Sequence, residues 1–168
     1  MMDSIIYISP SRSSFVRKDI DFLSKRYRVL SPDHNWKNKG ALVFTFLKQA
    51  FFLLSYIRTS KAIVVMFGGY WAFLPALLGR VFNTPVFIIL GGTDCVSFPA
   101  LNYGNLRKPL LRTVIGWSYS LSSKLIPVDD SLVKQHYSYS HRYPYPEQGF
   151  MSFFPNLKTP HHVIYNGF

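Results

Sequence analysis

The chain has 168 residues, 48% apolar and only 16% charged, which suffices for one hydrophobic core, excludes a disordered tail and leaves little room for two domains. Nineteen Lys and Arg against eight Asp and Glu leave a formal charge of +11, favouring anionic partners such as nucleic acid, nucleotide phosphates or an acidic membrane surface. Cys95 is the single cysteine, so an intrachain disulfide is excluded and a cytosolic site is the default expectation.

The opening "MMDSIIYISPSRSS" has an acid near its start and an apolar run too short for a signal-peptide core, so no secretory leader is expected. "SIIYISP" (Ser4 to Pro10) reads as a short strand ended by Pro. In "SFVRKDIDFLSKRY", Phe15, Val16, Ile20, Leu23 and Tyr27 recur at helical spacing, while Arg17, Lys18, Asp21 and Lys25 take the other face. "YRVLSP" (Tyr27 to Pro32) predicts a second strand. Ala41 to Ile57, "ALVFTFLKQAFFLLSYI", predicts a very apolar helix, interrupted by Lys48 and Gln49 and shorter than the roughly 20 apolar residues of a spanning helix. It is expected to be buried in the core or to touch a membrane surface.

"KAIVVMF" (Lys61 to Phe67), ended by Gly68 and Gly69, has the continuous apolar character of a strand buried on both faces of a parallel sheet. The pattern repeats with a helix over "YWAFLPALLGRVF", a stop at Pro85, a strand over "VFIIL", and Gly91 with Gly92. A helix from about Leu106 to Leu121, a strand over "KLIPV" (Lys124 to Val128) and a short helix capped at "DDS" (Asp129 to Ser131) follow. "YSYSHRYPYPEQGFMSFFPN" (Tyr137 to Asn156) has no period and reads as a long surface excursion, either solvent-covered or an aromatic platform for a sugar or base. "HHVIY" is expected as the last strand. Strands alternating with helices predict an α/β fold: a Rossmann-like open parallel sheet with helices on both faces and right-handed crossovers.

Ligands of such sheets bind beyond the carboxyl ends of the strands. Three loops fall there, "SPSRSSF", "FGGYW" and "LGGTD". Their glycines permit close backbone approach and their N–H groups could hold an anion, although Gly-Gly is equally a tight turn. Neither G-x-G-x-x-G nor G-x-x-x-x-G-K-[ST] occurs, which argues against an ordinary NAD enzyme and a kinase-like ATPase. Asp94 is the candidate catalytic carboxylate, a base or hydroxyl-orienting acceptor facing the cleft; its alternative is a local Asx-turn or helix cap. Arg12, in a cleft-facing loop, could meet a phosphate, whereas the neighbouring Arg17, Lys18, Lys25, Arg26 and Arg28 are explained by a solvated helix face. His34, His136, His141, His161 and His162 form no metal-like helical pair, so no metal site is expected.

Taken in order, "SFVRKDIDFLSKRYRV", "FGGYWAFLPALLGR", "LGGTDCVSFPALNYG", "KLIPVDDSLVKQ" and "VIYNGF" resemble the amino-terminal half of glycosyltransferase family 4 over nearly the whole chain. The resemblance implies the amino-terminal domain of a GT-B fold, a single acceptor-side unit over 1–168. Its interdomain linker would fall at about 161–168, with Asn166 and Gly167 as the hinge. The acceptor or cleft residues would be Arg12, Ser13, Ser14, Gly68, Gly69, Tyr70, Gly91, Gly92, Thr93 and Tyr103. "LGGTD" stands where many members have H-G-[ST]-D, so Gly91 replaces the usual His and Asp94 is retained; "VDDS" stands where V-S-E-S is common.

The family further implies metal-independent, retaining transfer from a nucleotide-sugar, a UDP- or GDP-sugar, to a sugar or lipid-linked acceptor in polysaccharide or glycoconjugate synthesis. The donor would be bound by a carboxyl-terminal domain carrying an E-x7-E motif that this sequence lacks, so the chain is expected to be inactive alone. It is read as a fragment, or as an acceptor-side subunit that docks on a partner chain; the exposed apolar patch of such a unit would favour self-association. Ala41 to Ile57 and the positive charge fit a membrane-associated enzyme on an anionic inner face. A nucleic-acid-binding module is the rival from another class, but no RNA- or DNA-binding motif supports it and the basic residues are spread over helices.

Overall fold

The computed structural model describes residues 2–34, 36, 39–137 and 146–165. Five strands form a parallel sheet, β1 (Ser4–Ile8), β2 (Arg28–Leu30), β3 (Ser60–Met66), β4 (Val86–Leu90) and β5 (Lys124–Pro127), in the order β2-β1-β3-β4-β5. The crossover helices are α1 (Ser14–Ser24), α2 (Leu42–Tyr56), α3 (Tyr70–Val81) and α4 (Pro109–Leu121). The fold is therefore α/β with a Rossmann-like open sheet, as the strand and helix periodicities require.

Alternate strand residues divide the core between the two faces. Ile6, Ile8, Ile63, Val65, Ile88, Leu90 and Leu125 pack with Leu53 of α2, Ala72 of α3, and Ile115 and Tyr119 of α4. Tyr7 and Met66 point the other way, onto Val16, Ile20 and Leu23 of α1. Three helices thus cover one face and α1 lies on the other. The expected apolar stripe of α1 holds for those three residues, whereas Phe15 and Tyr27 stay exposed.

Pro75 sits inside α3. Proline has no N–H and crowds the carbonyl four residues back, so the Trp71 carbonyl loses its helical donor. The buried Gln49 side chain of α2 supplies one instead, its Nε2 donating to that oxygen at 2.9 Å. This sets the rotation of α2. Its buried residues are Thr45, Gln49 and Leu53, so a largely polar stripe faces inward and most of the expected core helix faces out.

Two sequence expectations change. The excursion Tyr137 to Asn156 is not simply solvent-covered: residues 138–145 lie outside the described set, but Gln148 and Phe150 are fully buried. β6 (Gln135–His136) pairs antiparallel with β7 (Glu147–Gln148), and α5 (Phe150–Phe153) places the Phe150 ring edge-on to Tyr119 at 6.2 Å. The Gln148 side chain clasps Ser97, accepting from its N–H at 2.7 Å and donating to its carbonyl at 3.2 Å. The helix expected from Leu106 begins instead at Pro109 after a 3-10 turn over Asn105–Arg107.

A third expectation changes as well: "HHVIY" is not a strand but runs beside β5 through a single parallel bridge between His161 and Leu125, with Leu125 N–H donating to Pro160 and Ile164 N–H to Pro127, both at 2.9 Å. Asn166 and Gly167, the expected hinge, lie outside the described residues. No helix among the described residues is long and apolar enough to cross a membrane.

Candidate functional site

The loops leaving β1, β3, β4 and β5 meet at the carboxyl edge of the sheet. The loops after β3 and β4 are stapled together by Asp94. Its Oδ2 accepts from the Gly68 N–H at 2.5 Å and from the Tyr119 hydroxyl at 3.0 Å, and its Oδ1 accepts from the Gly91 N–H at 2.9 Å. Asp94 is completely buried. Burial raises its carboxyl pKa to about 7, against the downward pull of the Gly68, Tyr119 and Gly91 donors.

This arrangement corrects two expectations. Asp94 faces inward rather than into the cleft, because three donors converge on it from two loops and a helix. For the same reason the Gly68 and Gly91 N–H groups are directed at Asp94 and not at an anion from solvent. Asp94 is a positioning residue in this structure, joining a local turn at Gly91 to a contact across the sheet.

Phe67, which carries no distinguishing signal in the sequence, adopts a left-handed backbone with φ of 64°. That conformation is rare for a bulky residue and costs about 1–3 kcal/mol. It lays the ring over Gly91, where any Cβ would meet a Phe67 carbon closer than van der Waals contact, and within 5.7 Å of the Phe15 ring. Position 91 therefore has no room for the histidine of the resembled motif. Trp71 locks the same turn from behind, its indole N–H shared between the Met66 and Phe67 carbonyls at 2.9 and 3.0 Å.

The outward part of the rim is formed by Gly92, Thr93 and Tyr103, all exposed; Tyr70 is half-buried at the start of α3. Tyr103 is held by paired main-chain bonds with Phe98, at 2.9 and 3.1 Å, and its hydroxyl stands 3.4 Å from where a Gly92 Cβ would be. The Asn105 N–H donates to the Thr93 carbonyl at 2.6 Å, folding the loop back on itself. Thr93 and Tyr103 thus present hydroxyls and one aromatic face around a side-chain-free floor at Gly92. Hydroxyls, an aromatic ring and open main chain are the groups with which proteins meet polyhydroxylated ligands.

Arg12 is drawn away from this group. Its Nη2 donates to the Ser31 carbonyl at 3.0 Å and its Nε lies 3.9 Å from Asp33, so it reaches the loop after β2, on the far side of β1 from β3. Ser14 is exposed at the start of α1, and the Ser13 hydroxyl is buried without a hydrogen-bond partner. Gly69 is buried in the α3 N-cap. At the end of β5, Asp129 accepts from the Ser131 N–H at 2.9 Å and caps a 3-10 turn, as expected, which holds its pKa below the usual value. Asp130 accepts from the Tyr165 hydroxyl.

Cys95 is buried, and burial pushes its thiol pKa up, so it offers no nucleophile. Among the described residues no three of His, Cys, Asp and Glu are grouped to hold a metal ion. What the rim supplies is shape, hydroxyls and rigid backbone. No protein-family model, curated protein or solved structure matches this chain.

Proposed function

We propose that this unit is the acceptor-binding half of a retaining glycosyltransferase, seating a sugar or lipid-linked acceptor at the carboxyl edge of its sheet while a second domain or a partner chain holds the UDP- or GDP-sugar. The observation that carries the reading is the Asp94 staple. It fixes the loops after β3 and β4 and leaves Gly92, Thr93 and Tyr103 facing outward at the place where open α/β sheets take ligands. The order of the five sequence segments that resemble glycosyltransferase family 4 supports it independently.

In this reading the chain contributes positioning rather than proton transfer. Thr93 and Tyr103 orient acceptor hydroxyls, and the Gly92 floor lets the sugar ring approach the main chain. The enzyme works at the cytoplasmic side of a membrane, in polysaccharide or glycoconjugate synthesis. Saturation-transfer NMR with a water-soluble, short-chain polyprenyl diphosphate sugar tests this. Saturation of the pyranose protons that disappears in Tyr103→Ala is expected, and equal saturation in that variant overturns the placement.

A further inference from the structure

The outward face of α2 carries Val43, Phe44, Leu47, Phe51 and Leu54, which are 74, 60, 62, 76 and 53% exposed. This is the reverse of an ordinary amphipathic helix on a sheet, where the apolar stripe faces the core. The reversal has a structural cause, because Gln49 must face inward to serve the carbonyl that Pro75 strands. An apolar ridge of this length on a free helix face calls for a partner.

Charge selects the partner. Between Asp33 and Asp94 the sequence holds no acid, while Lys37, Lys39, Lys48, Arg58, Lys61 and Arg80 fall in between, Lys61 lying 3.9 Å from Asp3. Lys48 rises from within the apolar face, its ammonium 4.5 Å from the centre of the Phe44 ring, and Arg58 follows the last turn of α2, over the Phe82 ring at 5.3 Å. A second copy of the chain would bring the same cations against them. From this exposed apolar face, with Lys48 within it and Arg58 at its end, we infer that α2 docks on the surface of an anionic lipid bilayer, burying Phe44, Leu47 and Phe51 among the acyl chains with Lys48 and Arg58 at the headgroups.

The placement does not depend on sugar transfer. It does bear on it, since α2 begins beside the loops after β2 and β3. Phe46 of α2 meets Trp36 at 5.1 Å and Trp36 meets Trp71 at 6.3 Å, so the first turns of α2 are linked to the rim. A bilayer under α2 lies next to the mouth of the acceptor site.

The test is sedimentation of the whole chain with vesicles of phosphatidylcholine alone or with about one-third phosphatidylglycerol. Binding to the anionic vesicles only, weakened by salt, is expected. Phe44→Ser with Phe51→Ser should weaken it at least about tenfold, and Lys48→Glu at least about fivefold. Both phenylalanines are exposed, so circular dichroism should be unchanged. In Phe51→Trp the new indole should shift its emission to the blue on vesicles and become shielded from iodide. A chain that stays in the supernatant, vesicle binding indifferent to the phenylalanine substitutions, or self-association that those substitutions abolish in place of vesicle binding would each overturn the inference.

Discussion

The Gln49 amide donates to the Trp71 carbonyl at 2.9 Å, replacing the helical bond that Pro75 removes from α3. One polar side chain thereby determines which way α2 faces. Gln49→Ala should destabilise the protein by about 1–3 kcal/mol by leaving that carbonyl buried and unpaired. In a Pro75→Ala background α3 recovers its own N–H, and the same substitution should cost much less. A double-mutant cycle in urea measures the coupling, expected at about 1 kcal/mol or more; independent, additive effects would contradict the assignment.

Asp94 should give the stability curve a definite slope with pH. Its folded pKa, about 7, lies above the ordinary carboxyl value, so the folded state holds a proton that the unfolded chain has released. Stability from this group is full below about pH 4 and declines as pH rises to about 7. Asp94→Asn should remove this component, so that the difference in urea stability between pH 5 and pH 8 shrinks by on the order of 2 kcal/mol. An unchanged difference would contradict it.

Gly91 and Phe67 should behave as a coupled pair. Gly91→Ala drives a methyl into the Phe67 ring and should destabilise by about 1–3 kcal/mol. Phe67→Ala opens that space, so thermal denaturation of the double variant should show part of the loss recovered.

Phe150→Ala tests whether the segment after residue 146 belongs to the core. The side chain is fully buried against Tyr119 and lies 5.5 Å, ring to ring, from His161. A loss of about 3–5 kcal/mol is expected; a loss below about 0.5 kcal/mol would make it a surface residue.

The sheet was legible because each strand is a short apolar run with its own stop, such as Gly68 after β3, and because Pro85 separates α3 from β4. The direction of α2 was not, since Gln49 in a greasy run reads as an interruption until Pro75, 26 residues later, is seen to strand a carbonyl. The stripe Thr45, Gln49 and Leu53 at spacings of four was nevertheless available as a signal. The glycine loops are legible as loops, but the inward turn of Asp94 depends on Tyr119, which is 25 residues away on α4. Phe67 left no trace in the sequence, because a left-handed phenylalanine follows from packing rather than from propensity. The burial of Phe150 was hidden for the reason that aromatics in an aperiodic, Pro-rich stretch look alike whether they pin a loop or fill a core.

The most direct test of the acceptor reading is an amide NMR titration of the isotopically labelled chain with a water-soluble, short-chain polyprenyl diphosphate sugar, run beside UDP-glucose and GDP-mannose. The account predicts saturable shifts at Gly92, Thr93 and Tyr103 with the lipid-linked sugar and none there with either nucleotide sugar. Shifts with a nucleotide sugar at these positions, or none with the acceptor, would contradict it.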